Sequence, residues 1–88
     1  MQMEEQILAE GCRKGDDMAR KELYDRYAGR LLSICMRYAG DRATAEDLLH
    51  DAFLKIYGAF DRFTYRGTGS LRAWIERITV NAVSYTHL

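Results

Sequence analysis

Between residues 60 and 83 the chain gathers aromatic, cationic and amide side chains of the kind that hold a single-stranded nucleic acid. Phe60, Arg62, Phe63, Tyr65 and Arg66 come first, Gly67-Thr68-Gly69 follows, and Ser70 opens a run in which Leu71, Trp74, Ile75, Ile78 and Ala82 recur at helical spacing. Aromatic faces stack bases at ~1–3 kcal/mol each, guanidinium groups hold phosphates, and amides pair with base edges. Gly67 and Gly69 tolerate backbone angles closed to other residues, and Ser70 is a preferred N-cap for a free amide of the first turn. The face of this last helix left outside carries Arg72, Arg77, Val80, Asn81 and Ser84. Each assignment has a plainer competitor. Trp74 lies in register with Leu71, Ile75 and Ile78 and reads first as core, and Phe63 with Tyr65 could form a small cluster under the loop. Arg72 and Glu76 are four apart and could simply pair, and Asn81 could face solvent.

A second group stands one helix earlier. Asp47, His50, Asp51 and Leu54 fall on one helical face at spacings of three, four and seven, opposite the apolar stripe Ala45, Leu48, Leu49, Ala52, Phe53, Ile56, Tyr57 and Phe60. A leucine within a rim of carboxylate and imidazole fits an anchor for a partner helix, although a singly exposed apolar residue is ordinary. Asp47-x-x-His50 also has the spacing of two metal ligands on one turn. A di-metal bundle needs a second such motif projecting inward, which this chain lacks, and this face points outward. There is no nucleophile–base set, and Gly67-x-Gly69 is too short for a phosphate-binding loop. The residues therefore call for no enzyme, metal or cofactor.

The elements that must position these groups read as helices. There is no proline among 88 residues, 48% are hydrophobic, and the glycines fall mostly between periodic segments. A short amphipathic helix over residues 3–12, its apolar face supplied mainly by Ile7 and Leu8, stops at Lys14-Gly15. Asp16 offers the N-cap of a long helix over residues 17–38, with Tyr24, Tyr27 and Tyr38 in its broad stripe as core residues and Gly29 as a close packing point. Gly40 closes it, residues 41–43 connect, and Thr44 with Asp47 approximates a capping box for the third helix. Such a short connection makes the second and third helices antiparallel. The expected fold is all-α, a small bundle of four helices with the first short and peripheral.

Charge qualifies the nucleic-acid reading. The chain is neutral overall, but residues 1–60 hold 9 Lys and Arg against 11 Asp and Glu, whereas residues 61–88 hold 4 against 2. Four arginines are few for an affinity built on phosphate contacts, so strand binding needs a partner that holds the domain in place. Cys12 and Cys35 share no metal-type spacing and point to a reduced, cytoplasmic interior. The N-terminus is acidic rather than signal-like, and no run approaches the ~18 apolar residues of a membrane span.

Residues 23–83 resemble region 2 of a bacterial extracytoplasmic-function sigma factor, of the sigma-70 family. LYDRYAGRLLSICMRYAGD is similar to that region's opening segment, ATAEDLLHDAFLKIYGAFDRF to its polymerase-gripping helix, and RGTGSLRAWIERITVNAV to its promoter-melting loop and the helix behind it. Specificity lies in the order: Ala45-Glu46-Asp47-Leu48, Phe53-Leu54-Lys55, then Trp74-Ile75-x-x-Ile78-x-Val80-Asn81. The resemblance implies a role in bacterial transcription initiation. It assigns Asp47, His50, Asp51, Leu54 and Lys55 to the β′ clamp helices of core RNA polymerase. It assigns Phe63, Tyr65, Arg66, Gly67, Thr68, Gly69, Ser70, Arg72, Arg77 and Asn81 to promoter DNA, with the loop over residues 64–70 capturing a base flipped from the non-template strand of the −10 element. It also implies an anti-sigma factor as a partner, and neither a membrane nor a small-molecule substrate. His50-Asp51 replaces the glutamine and acidic residues common at that place. Residues 1–15 are expected as the short N-terminal helix, 16–83 as the region 2-like domain, and 84–88 as a frayed or non-native tail, since they do not resemble the family's continuation toward a region 4 domain. The alternative is a small helical interaction module that binds polymerase or a regulator without reading DNA.

Overall fold

The computed structural model describes residues 3–86. Helix α1 (Glu5–Arg13) ends at Lys14, and Gly15 turns the chain at a φ of 78°. Asp16 then caps α2 (Asp17–Ala39) by accepting the Met18 amide at 3.2 Å. Gly40 closes α2 in the left-handed conformation at φ 83°, open to glycine without steric cost, and α3 (Arg42–Ala59) starts two residues later. The two helices pack as the expected antiparallel pair. The cap of α3 is Asp41 and not Thr44. In extended backbone just after Gly40, its carboxylate reaches the Thr44 amide at 3.1 Å, so the helix begins three residues before the capping box would place it. The Thr44 amide and hydroxyl hold the Asp41 carboxyl below its ordinary range.

One 3₁₀ turn (Phe60–Arg62) and a loop lead to α4 (Ser70–Thr86), which closes the core against α2 and α3. Leu23, Leu31, Ile56, Phe60, Leu71, Ile75 and Val83 are buried there. Thr79 is buried among them and donates its hydroxyl to the Ile75 carbonyl at 2.9 Å, which satisfies a group that would be costly to bury unpaired. Tyr57 fastens α3 to α2 by donating to the Arg20 carbonyl at 3.2 Å, while the Arg20 guanidinium lies over its ring. Helix α4 runs to Thr86, past the expected boundary at 83, and the end of the expected tail, residues 87–88, lies outside the described residues.

Three expectations change in the packing. Leu8, Ala9 and Cys12 form the buried face of α1, whereas Ile7, rotated about 100° from Leu8, is 59% exposed. Gly29 has open space where a Cβ would stand; the close approach is at Gly11, where a Cβ would come within 2.6 Å of Ala19, so it is Gly11 that lets α1 lie against α2. Tyr24 and Tyr38 are exposed, because the apolar stripe of α2 is wider than its neighbours cover, although the Tyr24 ring still lies 4.8 Å from that of buried Phe53, whereas Tyr27 packs onto the core. Both cysteines are free and buried; burial pushes the Cys12 thiol up to about 11 and raises Cys35 as well, which makes them inert. Among the described residues no helix is long and apolar enough to cross a membrane, and no cluster of His, Cys, Asp and Glu could hold a metal.

Candidate nucleic-acid and protein-binding surfaces

The aromatic residues before α4 sort into a buried set and a surface set. Phe60, Phe63 and Trp74 form a triangle, with ring centroids 4.9 Å apart for Phe63–Trp74, 5.0 Å for Phe60–Trp74 and 6.1 Å for Phe60–Phe63. Phe63 is largely buried in it, and what remains of its surface borders the same cleft as Trp74. Trp74 serves the core as its register predicts, but it is only partly buried and its remaining surface floors a cleft of about 490 Å³. Arg62, Phe63, Thr64, Arg66, Ser70, Ala73 and Arg77 make the walls.

Electrostatics set this cleft apart. Elsewhere most basic side chains are spent inside the fold: Arg13 on Glu10, Lys21 on Asp25, Arg26 on Glu22, Arg42 on Glu46, and both Arg30 and Arg72 on Glu76. The guanidinium groups of Arg62, Arg66 and Arg77 have no ion pair among the described residues. Three unpaired cations thus face one cleft with an indole at its base, an arrangement suited to a phosphate and a stacked ring together.

The loop walls are held by backbone geometry that only glycine enters freely. Gly67 and Gly69 have φ of 106° and 91°. Ser70 is the first residue of α4 rather than its cap, and its hydroxyl accepts the Arg66 amide at 3.1 Å, drawing the loop back on itself. The amides of Gly69 and Leu71 go instead to the Glu5 carboxylate of α1. Tyr65 is partly buried on the α1 side of the loop, beside Glu4, Glu5 and Gln6, and Thr68 lies near it, so neither lines the arginine cleft.

On α4, Asn81 is exposed one turn beyond Arg77 and continues the stripe that begins at Ser70. Arg72 departs from that stripe. Its Nε donates to Glu76 at 2.9 Å, and Arg30 of α2 donates to the same carboxylate, so Arg72 belongs to a bridge between helices. Partial desolvation pushes the Glu76 carboxyl up, but the hydrogen bonds and charges of Arg30 and Arg72 outweigh it and hold the group below its ordinary value. Arg62 is the cleft cation outside the assignment by resemblance; its place in the same aromatic and basic cluster was the available signal.

The face of α3 is brought together as its periodicity predicts. Asp47, His50, Asp51, Leu54 and Lys55 are all exposed, Leu54 at 57%. None of the four polar residues has an ion-pair partner among the described residues, so a large apolar side chain stands within a ring of unspent charge.

Residues 23–86 match the family model of sigma-70 region 2. The chain belongs to that family. It is 38% identical over 82 residues to the ECF RNA polymerase sigma-E factor of Escherichia coli (strain K12), and 37% identical to that of Salmonella typhimurium (strain LT2). It is 32% identical over 80 residues to the RNA polymerase sigma-H factor of Pseudomonas aeruginosa. Each alignment covers 91% of this chain and 40% of the relative, so the chain spans about two fifths of the length of these sigma factors. Both surfaces described above lie within the region 2 match.

Proposed function

We propose that this chain acts in bacterial transcription initiation as the region 2 of an ECF sigma factor. The α3 face docks on the β′ clamp helices of core RNA polymerase, with Leu54 as the apolar anchor and Asp47, His50, Asp51 and Lys55 as its polar rim. The cleft between the loop and α4 then takes the −10 non-template strand as the duplex opens: Arg62, Arg66 and Arg77 hold the backbone, Ser70 and Trp74 border the flipped base, and Asn81 reads an edge further along. The observation that carries the reading is the convergence of three unpaired arginines on one aromatic-floored cleft, in a chain whose other cations are mostly paired.

Three cations give little affinity at physiological salt, so the polymerase contact supplies the proximity and the cleft supplies the selectivity. An anti-sigma factor that covered either surface would silence the chain, since each step depends on the other.

The test is to titrate a fluorescent library of −10-type single-stranded oligonucleotides against core polymerase at 0.15 M salt, about physiological strength, with and without this polypeptide. Sequence-selective capture that requires both proteins is expected. Polymerase binding without selective capture would leave a helical interaction module, and no polymerase binding would refute the docking role.

A further inference from the structure

Helix α1 lies before the segment matched by the family model, yet it grips the strand-reading loop at both ends. At the far end, the Glu5 carboxylate accepts the Gly69 amide at 3.0 and 3.2 Å and the Leu71 amide at 3.2 Å. At the near end, Arg13 donates from Nε to the Phe60 carbonyl at 3.3 Å and from Nη2 to the Phe63 carbonyl. Arg13 stands about 12 Å further along the same helix, so one rigid rod sets the span between the loop's two anchors. The rod is itself fixed, by the Gly11 contact with Ala19 and by Leu8 and Cys12 in the core.

We infer that Glu5 and Arg13 are positioning residues for capture of the single strand, an inference that rests on the strand-binding reading above. Between the two anchors the internal hydrogen bonds are few: Phe63 N–H to the Phe60 carbonyl at the near end, Arg66 N–H to the Ser70 hydroxyl and Ser70 N–H to the Gly67 carbonyl. A glycine-bearing loop with so few internal ties would have to be ordered by its ligand, and that cost would come out of affinity. The two α1 clamps order it during folding instead.

Glu5 holds the loop and does not compete with the strand. The residues lining the arginine cleft all come from the loop and α4 or the turn before them, and none from α1. The α1 side of the loop presents Glu4, Glu5 and Glu10, which repel phosphate. A strand therefore enters on the arginine side and leaves the Glu5 contacts in place. Arg13 fits the same role, because its guanidinium is held on the Phe60 and Phe63 carbonyls and does not line the arginine cleft.

The experiment compares wild type, Glu5→Ala, Glu5→Gln and Arg13→Ala in full chain with core polymerase. It reads polymerase affinity, strand capture by the complex, and amide hydrogen exchange at Gly69 and Leu71 in the free chain. Glu5→Ala is expected to lower strand capture at least fivefold and to speed exchange at both amides about tenfold. Polymerase affinity should stay within twofold, which also certifies the fold. Glu5→Gln, which keeps one acceptor oxygen, should recover part of the capture. Unchanged capture in both Glu5→Ala and Arg13→Ala would overturn the inference, and stronger capture in Glu5→Ala would overturn it in favour of competition. A wild-type chain that captures no strand would refute the parent reading before any substitution is compared.

Discussion

The outer face of α3 and the cleft before α4 are both patches of unpaired polar groups around an apolar centre, but they are made in different ways. On α3 everything needed is local: a regular helix places Asp47, His50, Asp51 and Leu54 together whatever the rest of the chain does. The cleft is assembled from a 3₁₀ turn, a loop with two positive-φ glycines and one helix stripe, and it is braced by α1 from more than 45 residues away. A docking surface built on one element can be lost one side chain at a time. A surface built from several can be lost by disturbing residues that never meet the ligand.

Substitutions can break that contrast in graded steps. The largest effect is expected for Trp74→Ala, which removes the ring that Phe60 and Phe63 pack on as well as the cleft floor. A stability loss of about 3 kcal/mol should appear in chemical denaturation, with strand capture lost and the α3 face affected only through global unfolding. Leu54→Asp comes next. Replacing an exposed anchor by a charge should leave the melting temperature within about a degree yet weaken polymerase binding by ~2 kcal/mol, roughly thirtyfold, as measured by anisotropy.

Arg66→Ala combined with Arg77→Ala should lower strand capture about tenfold at 0.15 M salt. It should also flatten the slope of log affinity against log salt by ~1.4, since each phosphate contact on a single strand contributes ~0.7. The smallest effect belongs to Arg72→Ala, which leaves capture unchanged and costs a few tenths of a kcal/mol of stability, because its partner Glu76 is near the surface and screened by solvent. That difference depends on pH. A carboxyl held below its ordinary 4.5 contributes stability that is present above that value and lost as pH falls through the lower folded one. Melting temperatures of wild type and Arg72→Ala should therefore differ at pH 6 and converge in strong acid.

How far the sequence could be read follows the same division. The hairpin of α2 and α3, Asp16 as a cap, the Gly40 stop and the exposed Leu54 all rest on spacings within one or two turns, and they were legible. The packing of Phe63 was only partly legible: a cluster under the loop was one of its two readings, but spacing could not show that its partners are Phe60 and Trp74. The split between Arg72 and Arg77 was half legible: the Arg72–Glu76 spacing suggested a pair, but the Arg30 contact that commits Glu76 to α2 crosses 46 residues. Gly29 looked like the packing glycine because it interrupts an apolar stripe, whereas the true close approach, at Gly11, depends on how α1 leans on Ala19. The Glu5 and Arg13 contacts with the loop had no signal in local spacing at all.

The central claim is that one small domain carries two separable surfaces, one for polymerase and one for the single strand. The most direct measurement is a paired titration of Leu54→Asp and the Arg66→Ala/Arg77→Ala double variant, reading polymerase affinity and strand capture at saturating polymerase for each. A crossed result is expected, with Leu54→Asp losing polymerase affinity and recovering capture once saturated, and the arginine variant keeping polymerase affinity while losing capture. Equal loss of both by the arginine variant would contradict the account and make the cleft part of a single protein-binding surface.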